Sequence, residues 1–86
     1  MIYQVVVHGV MGRDIVVDVA YSEGEFQKTT VSELMKLVAS TVLKSDTTDF
    51  KLMFATFQLD PAKTLSDYQI KNKSTLTMVM QLPGGN

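Results

Sequence analysis

The residues MQLPGGN, numbered 80–86, end this 86-residue chain with the segment whose composition points most directly to covalent chemistry. A glycine pair, Gly84 and Gly85, precedes the final Asn86. Such a pair could be a chemical handle through which the chain is joined to another protein. It could also be a flexible segment that leads out of a small domain. Glycine loses more conformational freedom than other residues when its backbone is fixed, and Pro83 has no N–H to donate to a neighbouring strand.

Side chains suited to catalysis or metal binding are few and scattered. His8 is the only histidine, and no second ligand stands at a metal-binding spacing. Ser66 and Asp67 are neighbours without a base, so no hydrolase triad is predicted. The aspartates lack calcium-loop spacing, and we expect Asp67 to cap a local turn. We therefore predict no catalytic residue, no metal or cofactor site and no small-molecule substrate.

Composition excludes further classes of function. The chain has 8 basic and 9 acidic residues, a net charge of −1, so a nucleic-acid partner is not expected. It contains no cysteine, which excludes a disulfide framework and fits a cytoplasmic or nuclear protein. No apolar run approaches the roughly 20 residues of a membrane span, and the N-terminus lacks the basic start of a signal peptide.

The first half of the chain predicts a hairpin followed by a loop. β-Branched and aromatic residues predict strands at 2–7 and 15–20. The stretch 8–14, with two glycines, predicts the turn between them. The polar segment 21–29 predicts a loop, in which Phe26 is either a cover for the core or an exposed anchor.

A helix is predicted from residue 30 to residue 44. Thr30 and Glu33 have the spacing of a capping box, in which each side chain accepts a hydrogen bond from the other residue's amide. Apolar residues then recur at helical spacing and predict one buried face. These residues are Val31, Leu34, Leu37, Val38 and Val42.

The second half predicts more strands. Residues 50–59 predict a buried strand with a short second strand after Ala55, and 60–63 predict a turn. Residues 65–70 predict a single 3₁₀ turn, and 75–82 alternate as a strand with one buried face. The order of elements predicts an α+β roll, with a mixed sheet of four to five strands packed on one main helix.

The segment from Lys51 to Gly85 resembles the C-terminal part of ubiquitin, without a gap and with about half of the positions identical. The shared residues include Thr64 to Tyr68, Ser74 to Leu76 and the diglycine. Residues 3–19 resemble the first hairpin of ubiquitin in pattern, and about six extra residues separate them from the helix. The resemblance implies a ubiquitin-like β-grasp domain over 1–83 and a flexible tail at 84–86.

The resemblance also implies a hydrophobic surface that binds proteins. Val10, Met53, Thr77 and Val79 match the positions of the ubiquitin patch, and Phe57 replaces a lysine beside it. The implied partners are ubiquitin-binding domains and components of the proteasome or of ubiquitin ligases. The alternative is that these are simply strand-forming residues, because isolated exposed apolar side chains are common.

The lysine positions of ubiquitin are not preserved. None of the positions that carry its chain-forming lysines is a lysine here, which argues against an authentic chain-forming ubiquitin. The residues at those positions are His8, Arg13, Met35, Leu37, Thr41, Phe57 and Asn72.

The tail leaves two functional hypotheses. Conjugation in this family uses a free glycine carboxylate, and Asn86 blocks Gly85 until a protease removes it. Gln81 and Pro83 also replace the arginines that precede the diglycine in ubiquitin. We therefore predict a non-covalent interaction domain, forming the N-terminal part of a larger ubiquitin-pathway protein. The alternative is a ubiquitin-like modifier that is processed after Gly85 and conjugated through Gly84-Gly85.

Overall fold

A computed structural model of the chain describes residues 1–10 and 12–80. Strands and α-helices follow one another there in the order β1 (Tyr3–Val10), β2 (Arg13–Ala20), α1 (Glu23–Lys28), α2 (Val31–Val38), β3 (Phe50–Phe54), β4 (Phe57–Gln58) and β5 (Ser74–Met80). A π-helical turn, Ala39–Leu43, extends α2, and a 3₁₀ turn, Ser66–Tyr68, precedes β5. The predicted end of the last strand at Leu82 and the predicted tail at 84–86 lie outside the described residues.

The five described strands form one mixed sheet in the order β2-β1-β5-β3-β4. The hairpin β1-β2 is antiparallel, β5 lies parallel to β1, and β3 lies antiparallel to β5. The chain therefore places its first and last described strands side by side at the middle of the sheet. This architecture confirms the predicted α+β roll of the β-grasp type.

The core lies between α2 and one face of the sheet. Side chains that alternate along the strands point to this inner face and are fully buried or nearly so, among them Val5, Val7, Val17, Leu52 and Leu76. Val31, Leu34 and Val38 of α2 are completely buried, and Leu37 and Val42 pack at the margin. The predicted helical stripe is thus confirmed. Each such side chain stabilises the fold by about 1.5–3 kcal/mol relative to exposure.

The predicted turn at 8–14 was too long. Strand β1 continues to Val10 and β2 begins at Arg13, and these two residues pair with each other. The pairing is interrupted by a bulge at Gly9, which has φ of 96°, and Gly12 in the turn has φ of 80°. Positive φ is costly for residues with a Cβ atom, so the two glycines provide a bulge and a tight turn instead of a long loop.

The predicted loop at 21–29 is wrong, because most of it forms the helix α1. The Ser22 hydroxyl accepts a hydrogen bond from the Glu25 amide at 3.2 Å and caps the helix. Phe26 is only 2% exposed, and its ring centroid lies 5.8 Å from that of Tyr3. Phe26 is therefore a core residue and not an exposed anchor.

Both predicted side-chain caps are confirmed. Thr30 Oγ1 accepts from the Glu33 amide at 3.1 Å, and Glu33 Oε1 accepts from the Thr30 amide at 2.9 Å. The backbone hydrogen bond from Thr30 lowers the pKa of the Glu33 carboxyl. Asp67 Oδ2 accepts from the Thr64 amide at 2.9 Å, and this bond lowers the pKa of Asp67 in the same way. The carboxylates hold the start of α2 and the 3₁₀ turn in place.

Ala55, in the turn between β3 and β4, has a left-handed backbone with φ of 55°. Glycine adopts this conformation without the clash of a Cβ atom, although it also gives the unfolded chain more entropy. We expect Ala55→Gly to raise the free energy of unfolding by about 0.5 kcal/mol, measured by urea denaturation.

The control is Ala62→Gly, at an exposed alanine whose φ is not positive. This change gains nothing in the folded state and should lower the urea midpoint. An equal loss of stability in both variants would contradict the explanation based on the left-handed conformation of Ala55.

Candidate protein-interaction surface

The sheet face opposite α2 carries the second set of alternating side chains, and we call it the outer face. Among the described residues, both α-helices contribute side chains to the core on the inner face, and no α-helix packs on the outer face. Its members are Gln4, Val6 and His8 of β1, Asp14, Val16 and Asp18 of β2, Lys51 and Met53 of β3, Gln58 of β4, and Thr75, Thr77 and Val79 of β5.

Three of the predicted contact residues lie together on adjacent strands of this face. Met53 pairs directly with Thr77, and Val79 follows on the same face of β5, diagonal to Met53. Val79 is 41% exposed, and Met53 is half-buried. We call Met53, Thr77 and Val79 the central cluster. Val79 therefore points away from the face on which Leu76 and Met78 are buried.

Val10 does not belong to this exposed surface. Its side chain is only 5% exposed and lies in the core. His8 pairs with Asp14 and Val10 pairs with Arg13, so the bulge at Gly9 gives β1 one residue more than β2 between these pairs. A shift of one residue moves a side chain to the other face of a sheet. Val10 therefore points inward, whereas His8 before the bulge points outward. The prediction that Val10 lies in an exposed patch is wrong.

The Phe57 side chain is 59% exposed, but it lies on the edge strand β4 and on the face of the sheet opposite the central cluster. It pairs with Phe54, whose neighbours Phe50 and Leu52 on the same face are buried. Its ring centroid lies 6.4 Å from that of Tyr68. The Tyr68 hydroxyl accepts a hydrogen bond from the Asp60 amide at 2.9 Å. Phe57 thus forms an aromatic pair beside the central cluster and does not enlarge it on the outer face.

Met80 is an exposed apolar residue that the strand alternation did not predict. Its position places it on the buried side with Leu76 and Met78, yet it is 51% exposed. Met80 pairs with Phe50, the first residue of β3, at the margin of the sheet. The exposure arises at the end of a strand, and alternation alone gives no signal for it.

Lysine, histidine and aspartate side chains border the central cluster. Lys51 pairs with Val79, and His8 pairs with Thr77 on the opposite side. The His8 ring nitrogen Nδ1 lies 2.5 Å from Asp14 Oδ1, and both side chains are more than half exposed. The surface is thus an apolar centre with a lysine on one side and a histidine–aspartate pair on the other.

Groups that could hold a metal ion and helices that could span a membrane are both absent from the part of the chain that the structure describes. Over residues 1–10 and 12–80, no group of three or more histidine, aspartate or glutamate side chains is placed to hold a metal ion. Within the same ranges, no helix has the length and apolar character needed to cross a membrane. The proposed conjugation residues, Gly84 and Gly85, lie outside these ranges.

In a comparison with known protein families, residues 12–83 match the family model described as "Ubiquitin family". Ubiquitin-like family members are generally non-enzymatic, and their domains generally interact with other proteins. The matched range includes α2, the strands β3, β4 and β5, and the whole central cluster. From the strand order, the capped helix against the sheet and this match, the chain belongs to the ubiquitin family.

Proposed function

We propose that this ubiquitin-like domain binds other proteins non-covalently through the central cluster. The observation that carries the proposal is the placement of Met53 and Val79, two apolar residues on adjacent strands of a sheet face that no described helix covers. Apolar side chains exposed side by side favour contact with a partner, and methionine is enriched in such contacts.

The borders of the cluster indicate what the partner offers. Lys51 lies directly across from Val79, so a carboxylate of the partner would find a cation beside the apolar contact. The complementary element is a short helix or loop with one apolar anchor and an acidic neighbour. A contact of this size is transient, since permanent interfaces bury far larger areas.

Partners with this chemistry belong, in our proposal, to the ubiquitin pathway: ubiquitin-binding domains, or components of the proteasome or of ubiquitin ligases. The domain would act in the cytoplasm or nucleus as the N-terminal part of a larger protein. Its role is to bring that protein to its partner, without a reaction at the domain itself.

The proposal is tested by NMR titration of the ¹⁵N-labelled chain with a panel of isolated ubiquitin-binding domains. The amides of 51–53 and 77–79 should shift with at least one member of the panel, in fast exchange. Shifts confined to other elements with every binding member would count against the central cluster, and so would an absence of shifts across the panel at millimolar concentration.

A second hypothesis rests on the diglycine: a modifier conjugated through Gly85 after removal of Asn86. We expect that a chain ending at Gly85, incubated with cell extract and ATP, forms higher-mass adducts only if this hypothesis holds. The adducts should disappear in Gly85→Ala, because a side chain hinders passage of the tail through a narrow active site. The chain that retains Asn86 and a protease-inhibited extract provide the matched control.

A further inference from the structure

Strand β2 forms an exposed edge of the sheet. Over the described residues it pairs with β1 alone, and its eight residues, Arg13–Ala20, form one margin of the sheet. The backbone N–H and C=O groups of an antiparallel edge strand that point away from its neighbour are free to pair with another strand. The opposite margin, β4, has only two residues and offers a much shorter template.

The outer-face side chains of this edge have a regular order. Val16 is 52% exposed, and Asp14 and Asp18 lie two positions before and after it on the same face. Asp18 Oδ1 accepts a hydrogen bond from Gln4 Nε2 at 2.7 Å, and Asp14 Oδ1 contacts His8. A carboxylate can accept about four hydrogen bonds, so both aspartates keep capacity for another donor.

This order argues against a second copy of the chain as the occupant. Two copies could pair their β2 strands antiparallel about a two-fold axis, with Val16 opposite Val16. Asp14 of each copy would then lie opposite Asp18 of the other, which gives two pairs of like charges. Like charges directly across from each other destabilise a strand pair, whereas opposite charges stabilise it. The complementary strand therefore carries cations where β2 carries aspartates.

We propose that the edge of β2 binds an extended peptide with one apolar residue flanked, two positions away on each side, by lysine or arginine. The peptide would add a strand to the sheet, with main-chain hydrogen bonds supplying affinity and the Asp14–Val16–Asp18 row supplying selectivity. Since the row is symmetric, it accepts the same pattern in either chain direction. This site is separate from the central cluster and does not depend on the proposed function.

The test uses the ¹⁵N-labelled chain and a short synthetic peptide in which threonines alternate with lysine, valine and lysine. A matched peptide carries glutamate in place of both lysines. We expect shifts concentrated in residues 13–20, and binding of the lysine peptide about tenfold tighter at low salt. Equal binding of the two peptides, shifts centred elsewhere, or no shift at millimolar peptide would overturn the proposal.

Charge reversal provides a second arm. The double variant Asp14→Lys/Asp18→Lys should prefer the glutamate peptide. The control Asp46→Lys/Asp49→Lys makes the same change in net charge, but its residues lie in the connection between α2 and β3. It should keep the original preference. Met53→Asp should not alter peptide binding. A failure at the β2 edge is therefore distinguishable from a failure at the central cluster.

Discussion

Replacing Met53 by aspartate is expected to abolish binding of a protein partner to the central cluster while the fold persists. Met53 pairs with Thr77 on the outer face, so the new carboxylate stands in the middle of the apolar contact. A buried unpaired charge at the centre of an interface costs about 2 kcal/mol or more, which weakens binding by about 30-fold or more and is enough to remove a transient contact from detection. The measurement is NMR titration with the partner identified from the panel, repeated with Val79→Asp.

The matched control is Val16→Asp. Val16 is exposed on the same face but lies on β2, beyond β1 from the central cluster. Val16→Asp introduces the same charge as Met53→Asp and is the same valine-to-aspartate change as Val79→Asp. It should bind the partner like the unmodified chain. Circular dichroism must show that all three variants are folded. If Met53→Asp and Val79→Asp bind normally, the central cluster is not the contact.

The second large effect is expected from Phe26→Ala. Phe26 is 2% exposed, lies in α1, and packs with Tyr3 of β1. Truncation of a buried phenylalanine costs about 3–5 kcal/mol, partly from lost burial and partly from the cavity left behind. Domains of this size have total stabilities of about 5–15 kcal/mol. We therefore expect a large fall in the denaturation midpoint, measured by urea unfolding.

The control for this change is Tyr21→Ala, in the same inserted segment. Tyr21 is 71% exposed, so its loss should change the free energy of unfolding by less than about 0.5 kcal/mol. A similarly small effect of Phe26→Ala would show that α1 is a loose appendage and not a part of the core.

The elements predicted correctly from the sequence are those with local signals. The capping box of Thr30 and Glu33, the apolar stripe of α2 and the alternation of β5 each arise from residues close together in the chain. The helix α1 was missed because six residues are too few to show a helical stripe, and Phe26 alone in a polar segment is ambiguous. Ser22 followed by Glu25 was a usable signal, since that spacing is typical of a helix start.

Only part of the candidate surface could be predicted, because strand alternation gives the direction of a side chain only where the strand is regular. Met53, Thr77 and Val79 lie in regular strands, so alternation places them correctly on one face. Val10 follows a bulge and Phe57 follows a turn with a left-handed residue, and each irregularity changes the direction of later side chains. Register is set by pairing with distant strands, and a single sequence does not show where an extra residue interrupts it.

The parallel pairing of β1 with β5 has a consequence for the growing polypeptide on the ribosome. The Gln4 amide donates to Asn72 Oδ1 at 2.8 Å, and the Lys73 amide donates to the Gln4 carbonyl at 2.6 Å, so the start of β1 depends on residues synthesised almost seventy positions later. Until β5 emerges, the hairpin and β3 have no strand between them, and each presents an unpaired edge. Long-range pairing of this kind slows folding. The ribosome must therefore have synthesised the chain through β5 before the nascent domain can close its sheet.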